Sequence, residues 1–244
     1  MSFKIIIEKI LTSNLISFFI KKFTNFNLSF ININYSKISP KTSARIFFGL
    51  YERAETKLIK KYIRDYNNIL EIGGGIGITA KYCFNYNKNI NKYYIVEPYS
   101  INLEIIKSQN FDFNKVRLIQ GCILNSNSEL KNLNFSYTKP VLNKYDKSII
   151  LEKNPTTEKV RILDENFLLE EIGKINFFFI IDCELNPSLF ISQNEKLFKN
   201  CSGMICELEE IEKYSIKNQI DLLTKHDFEL KEKLGRVCFF VKKQ

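Results

Sequence analysis

The sequence predicts an α/β protein built on a doubly wound, mostly parallel sheet that closes with an antiparallel C-terminal edge hairpin. Three observations carry this. Short apolar runs at residues 69–72, 93–96, 116–120 and 175–181 alternate with helical stretches, the pattern of βα units on a parallel sheet. The first run opens into Gly73-Gly74-Gly75-Ile76-Gly77, a turn ahead of a helix. The last two β-like runs, residues 228–231 and 237–241, are joined around Leu234-Gly235-Arg236, as in a hairpin.

Taken in order, residues 1–50 read as an N-terminal helical extension and 51–244 as one domain with an insertion at 125–157. The uncharged run at residues 10–20 is too short to span a bilayer, and Glu8 and Lys9 interrupt any signal-peptide core. Residues 2–23 therefore read as one helix packed on the domain or a partner, the favoured alternative, or as a basic amphipathic helix on a membrane surface. Asn and Ser clusters with Pro40 predict an irregular connection over residues 24–50. A helix follows over residues 51–64, with Glu52 and Glu55 in its first turn, where the helix dipole favours acids. Within the insertion only two pieces are β-like, residues 133–137 and 148–151. Beyond it come strand 160–163, a short helix over 167–172, and strand 175–181 ending in Asp182-Cys183-Glu184. A helix over 189–198, strand 203–206 ending in Glu207, a helix over 215–224 and the hairpin complete the chain.

Composition excludes several classes. Hydrophobic residues at 45% and charged residues at 26% describe an ordered globular chain, neither disordered nor polytopic in a membrane. The net charge of +9 invites nucleic acid, yet lysines occur throughout the chain without aromatic-interleaved basic runs, so nucleic acid is disfavoured as a partner. Cys83, Cys122, Cys183, Cys201, Cys206 and Cys238 form no C-x-x-C pair, and several sit in apolar runs, which points to a reduced, cytoplasmic compartment. With His226 as the one histidine, neither a zinc site nor a histidine-based triad can be assembled.

The glycine turn carries the chemistry. A dinucleotide fingerprint beginning at Gly73 needs glycine at position 78, which is Ile78; Gly73, Gly75 and Gly77 instead fit G-x-G-x-G preceded by the acid Glu71. That spacing favours S-adenosyl-L-methionine over NAD. Glu97 closes the next strand 24 residues after Gly73, where a βαβ unit places a carboxylate for ribose hydroxyls.

With these pieces in place the chain resembles the FkbM family of class I S-adenosylmethionine-dependent methyltransferases, whose fold is Rossmann-like. The resemblance spans roughly residues 48–243. It rests on Gly49-Leu50-Tyr51-Glu52, on Leu70 through Gly77, on Glu97-Pro98 with Asn110 at the next helix end, on Val160-Arg161-Ile162-Leu163-Asp164, on Ile180-Ile181-Asp182-Cys183-Glu184, and on Ile205-Cys206-Glu207-Leu208. It implies O-methylation of a glycan or small-molecule acceptor. The resemblance implies that Tyr51 and Glu52 border the cofactor and acceptor, and Gly121 and Cys122, at the end of the third strand, are expected near the adenine. Asp182 and Glu184 end a strand where open sheets bind ligands, and two residues apart they share a side if the strand continues. They divide the roles of base and orienter or share a divalent cation; no metal is assigned. Leu185-Asn186-Pro187 departs from the family pattern. Two other readings stay open: an RNA or protein methyltransferase, and a non-catalytic binding protein on this scaffold. Oligomeric state is not written in the sequence.

Overall fold

The computed structural model describes residues 3–24, 33–123, 132–137, 156–173, 175–182, 190–191, 194–210 and 215–243. Two helices, α1 (Phe3–Leu11) and α2 (Asn14–Thr24), stand where one was expected. The break falls at Thr12-Ser13, where the Thr12 hydroxyl donates 2.8 Å to the Glu8 carbonyl, the local side-chain bonding by which Thr competes with a helix.

The expected irregular connection contains a third helix, α3 (Pro40–Phe47). Ser39 caps it, its hydroxyl accepting the Thr42 N–H at 3.2 Å, and Pro40 sits at the helix start, where its missing N–H costs nothing. The proline marks a beginning rather than a break. Ile33, Tyr35, Ile38 and Ile46 are buried in the same core as the sheet. Gln109 fastens this segment through its side-chain oxygen to the Asn34 N–H (2.9 Å) and its amide to the Asn34 carbonyl (3.2 Å).

Helix α4 (Arg53–Tyr62) starts two residues later than expected and ends in a 3₁₀ turn, Ile63–Asp65. The delay has a local cause: Glu52 is left-handed, with φ of 43°, so it precedes the helix. The alternation then runs β1 (Asn68–Ile72), α5 (Ile78–Tyr86), β2 (Lys92–Glu97), α6 (Ser100–Lys107) and β3 (Val116–Gln120). After it come β4 (Asn132–Tyr137), β5 (Thr156–Arg161), α7 (Glu165–Ile172) and β6 (Phe177–Ile181). Finally α8 (Glu195–Lys199), β7 (Cys201–Glu207), α9 (Ile216–Lys225), β8 (Phe228–Leu234) and β9 (Val237–Lys242) complete the described chain.

Seven of the described strands form one sheet in the order β3-β2-β1-β6-β7-β9-β8. Pairs from β3 through β7 are parallel, while β9 is antiparallel to both neighbours. The hairpin is therefore threaded with its second strand inside. Patterning explains why: residues 237–240 are buried without interruption, whereas β8 alternates buried Phe228 with exposed Glu229, Lys231 and Lys233, a charged edge that discourages further pairing. In the insertion, β4 pairs antiparallel with β5, and residues 148–151 lie outside the described residues.

Each face of the sheet is covered. On one side Ile69, Tyr93, Ile95, Phe178 and Phe239 pack under α4, α5 and α6; on the other Leu70, Val96, Phe179, Met204 and Phe240 pack under α7, α8 and α9. Such two-sided burial of central strands leaves their C-terminal ends as the place where polar side chains converge.

Candidate functional site

Strand β1 has parallel neighbours on both sides, β2 and β6, and the chain winds away from it in opposite directions. The switch point of the sheet thus lies between β1 and β6, the crevice where open α/β sheets take ligands. Five parallel strands end there together, and the residues singled out in the sequence sit on their ends: Glu71, Glu97, Gly121, Asp182 and Glu207.

The glycine turn is folded onto the end of β2. Gly73 and Gly74 both donate their N–H to the Val96 carbonyl (3.0 and 3.2 Å), and Gly77 donates to the Gly74 carbonyl at 2.8 Å. Gly73, Gly75 and Gly77 have φ of 89°, 50° and 80°, the left-handed region that favours glycine. At Gly75 nothing lies within 4 Å of where a Cβ would stand, so the turn is open there to an approaching ligand. Gly77 begins α5 without a side-chain cap, which directs the helix N-terminus at the turn.

Glu97 is buried, and its carboxylate is held from three directions. One oxygen accepts the Gly75 N–H at 2.7 Å; the other accepts the Tyr99 N–H (3.0 Å) and the Asn102 side-chain amide (3.1 Å). The acid expected to meet ribose hydroxyls is thereby also the clamp of the glycine turn. Glu71 points into the covered face, where the buried Tyr93 hydroxyl donates to it at 2.8 Å. Gly121 and Cys122 continue from β3 along β5: the Cys122 N–H donates to Arg161 and the Leu163 N–H to Cys122. A Cβ on Gly121 would come within 2.5 Å of Leu163, so packing alone demands glycine there.

A second group of acids gathers at the β6 end. The Asp182 N–H donates to the Ile72 carbonyl at 3.1 Å, which seats this residue beside the start of the glycine turn. Its carboxyl is raised to about 7, first by burial, then by Glu55 and by Glu207, to which it is also hydrogen-bonded. Glu207 in turn pairs with the Arg236 guanidinium at 3.2 Å. Tyr51 is buried and bonded to Glu52, and burial pushes both well above their usual ranges. The Glu52 carboxylate accepts the Thr79 hydroxyl at 2.6 Å, linking the turn before α4 to α5. Glu184, expected beside Asp182, lies outside the described residues, as does Leu185-Asn186-Pro187. Glu55 is not among the residues the sequence singles out for the site, although helical spacing from Glu52 was an available signal for it. Among the described residues no group of three or more His, Cys, Asp or Glu has a metal-holding arrangement.

Burial of so many carboxyls has a thermodynamic sign. Glu71 is raised from 4.5 to about 8, chiefly by burial. Between those values the folded chain holds a proton that the unfolded chain has released, so the stability linked to this group is full below the unfolded value and declines as pH rises towards 8. Asp182 acts in the same direction up to about 7. The melting temperature is expected to fall between about pH 5 and pH 8, and Glu71→Gln to flatten that slope and stabilise the protein at the alkaline end. Thermal melts of both proteins across that range check this.

The strand order, with the last strand inserted antiparallel between β7 and β8, decides the architecture. This is a Rossmann-like, doubly wound fold with an antiparallel C-terminal edge hairpin. No protein-family model matches the chain, and no curated protein matches it. Solved structures similar to it include TrmK from M. capricolum in complex with S-adenosyl-homocysteine, at 13% identity and a TM-score of 0.42, covering 76% of this chain and 65% of that one. Fibrillarin from Aeropyrum pernix with bound S-adenosyl-L-methionine has 14% identity and a TM-score of 0.47, covering 78% and 74%. Methyltransferase FkbM from Methylobacillus flagellatus has 12% identity and a TM-score of 0.44, covering 83% of this chain. The chain spans just under two thirds of the length of TrmK and 54% of that of FkbM. At these identities the likeness is one of chain path alone, and the Rossmann-like fold rests on the strand order itself.

Proposed function

We propose that this chain is an S-adenosyl-L-methionine-dependent methyltransferase that methylates a hydroxyl on a glycan or small metabolite. One observation carries the reading: at the switch point, an open glycine turn clamped by Glu97 follows Ile72, whose carbonyl accepts the Asp182 N–H, and the Asp182 carboxyl is raised to about 7. The residues fit the donor. The bare backbone at Gly75 lets a ligand approach, the Glu97 carboxylate suits vicinal hydroxyls, and the strip at Gly121 and Cys122 suits the adenine side. The donor, when bound, supplies the electrophilic methyl group.

The protein's own work is alignment and proton transfer. A hydroxyl is barely ionised at neutral pH, so a base must take its proton as the oxygen attacks. Asp182 has the matching affinity for that proton, because burial and the neighbouring Glu55 and Glu207 raise its carboxyl to about 7. Tyr51 and Glu52 wall the acceptor side, Glu52 held by Thr79 and Tyr51 bonded to Glu52, and Glu184 is assigned to orienting the acceptor. The test is transfer of labelled methyl from S-adenosylmethionine to a panel of sugars and small hydroxylated compounds. Turnover on a hydroxyl supports the reading; transfer confined to RNA or protein, or binding without turnover, contradicts it.

A further inference from the structure

We infer that α1 and α2 form a docking surface for an anionic membrane, on which the protein lies without crossing it. Seven large hydrophobic side chains are exposed among the described residues, and five of them fall between residues 7 and 19: Ile7, Ile10, Leu15, Phe18 and Phe19. Their exposures run from 40% to 70%, far from the scattered single contacts of an ordinary surface. Phe47, at the end of the adjoining α3, is a sixth. The opposite side of α2 is already occupied, since α2 packs along α3 and Ser17 is buried there, so the exposed apolar side is a second face and not a core turned outward.

Charge selects the occupant. Lysines occur throughout the chain, but acids do not. Residues 1–50 hold Lys4, Lys9, Lys21, Lys22, Lys37, Lys41 and Arg45 against the single acid Glu8, so about two thirds of the net charge of +9 lies in the first fifth of the chain. Lys9 and Lys22 are exposed, and Lys22 stands four and three residues after Phe18 and Phe19, within the same helical face. Apolar side chains bordered by cations match the two layers of an anionic bilayer surface, acyl chains beneath negative headgroups. A second copy of the chain would bring like charges together across the same face. At 9 and 11 residues the helices are about 14 and 17 Å long, about half of a hydrocarbon core of roughly 30 Å. No helix in the described residues is long and apolar enough to cross a membrane.

The test is flotation of the full chain with phosphatidylcholine vesicles and with vesicles in which about a third of the lipid is phosphatidylglycerol. The protein is expected to float with the anionic vesicles, weakly or not at all with the neutral ones, and to be released by high salt. Phe18→Ser with Phe19→Ser, and Lys9→Glu with Lys22→Glu, are each expected to weaken binding at least about tenfold. Because the chain has no tryptophan, Phe18→Trp supplies a reporter that needs no disruptive change, and its emission should shift to the blue on anionic vesicles. Absence of flotation and of the blue shift overturns the proposal, as does equal binding to neutral vesicles. A dimer seen by sedimentation, dissociated by the serine pair and indifferent to lipid, would assign the face to a second copy instead and also overturn it.

Discussion

Gly74→Ala is expected to destabilise the protein by about 1–3 kcal/mol, more than substitution at any left-handed glycine of the turn. The cause is space, not conformation, because Gly74 does not have positive φ. A Cβ there would stand 2.1 Å from the Cγ2 methyl of Ile95. Ile95 is fully buried in β2, paired with Glu71 on one side and Leu118 on the other, and its Cβ branching leaves that methyl no free rotation. Ile95→Ala removes the obstructing methyl at its own cavity cost. The double variant should therefore lose less than the two singles added together, by about 1–2 kcal/mol in a denaturant double-mutant cycle. Strict additivity would mean the turn does not sit against β2 as described. Gly75→Ala, by contrast, meets open space and costs only its left-handed backbone, about 1 kcal/mol, while obstructing the ligand side.

Asp182→Asn is expected to lower kcat by about 10²–10⁴-fold while leaving donor affinity within a few-fold of the parent. Asparagine preserves the shape and the backbone bond to Ile72, so the glycine turn should stay in place. It cannot take a proton. In the parent protein the carboxyl is raised to about 7 by burial and by Glu55 and Glu207, so kcat/KM should climb through that pH as the base ionises. The asparagine variant should lose that limb of the profile. Unchanged turnover would remove Asp182 from the chemistry and leave it as support for the β6 end.

What the sequence made legible was local. The run at residues 69–72, its glycines and the acid ending β2 are neighbours within one βαβ unit, and periodicity with turn chemistry was enough to place them. The threading of the hairpin was legible in principle, because Val237-Cys238-Phe239-Phe240 is apolar on both faces while β8 alternates. Pro40 misled because the same residue breaks a helix interior and begins a helix, and only the Ser39 cap separates the two cases. The bond from Glu207 to Asp182 and the contact of Gly74 with Ile95 were beyond reach for a different reason. Each depends on which strands become neighbours and in what register, and a single sequence does not contain that.

The central claim is that the glycine turn and Glu97 form a donor site, and calorimetric titration of S-adenosyl-L-methionine into the purified chain tests it most directly. One saturable site is expected, competed by S-adenosyl-homocysteine. Glu97→Ala should abolish it, because the change removes both the carboxylate and the clamp on Gly75. No binding by the parent protein at about 1 mM donor, or undiminished binding by a folded Glu97→Ala variant, would contradict the account.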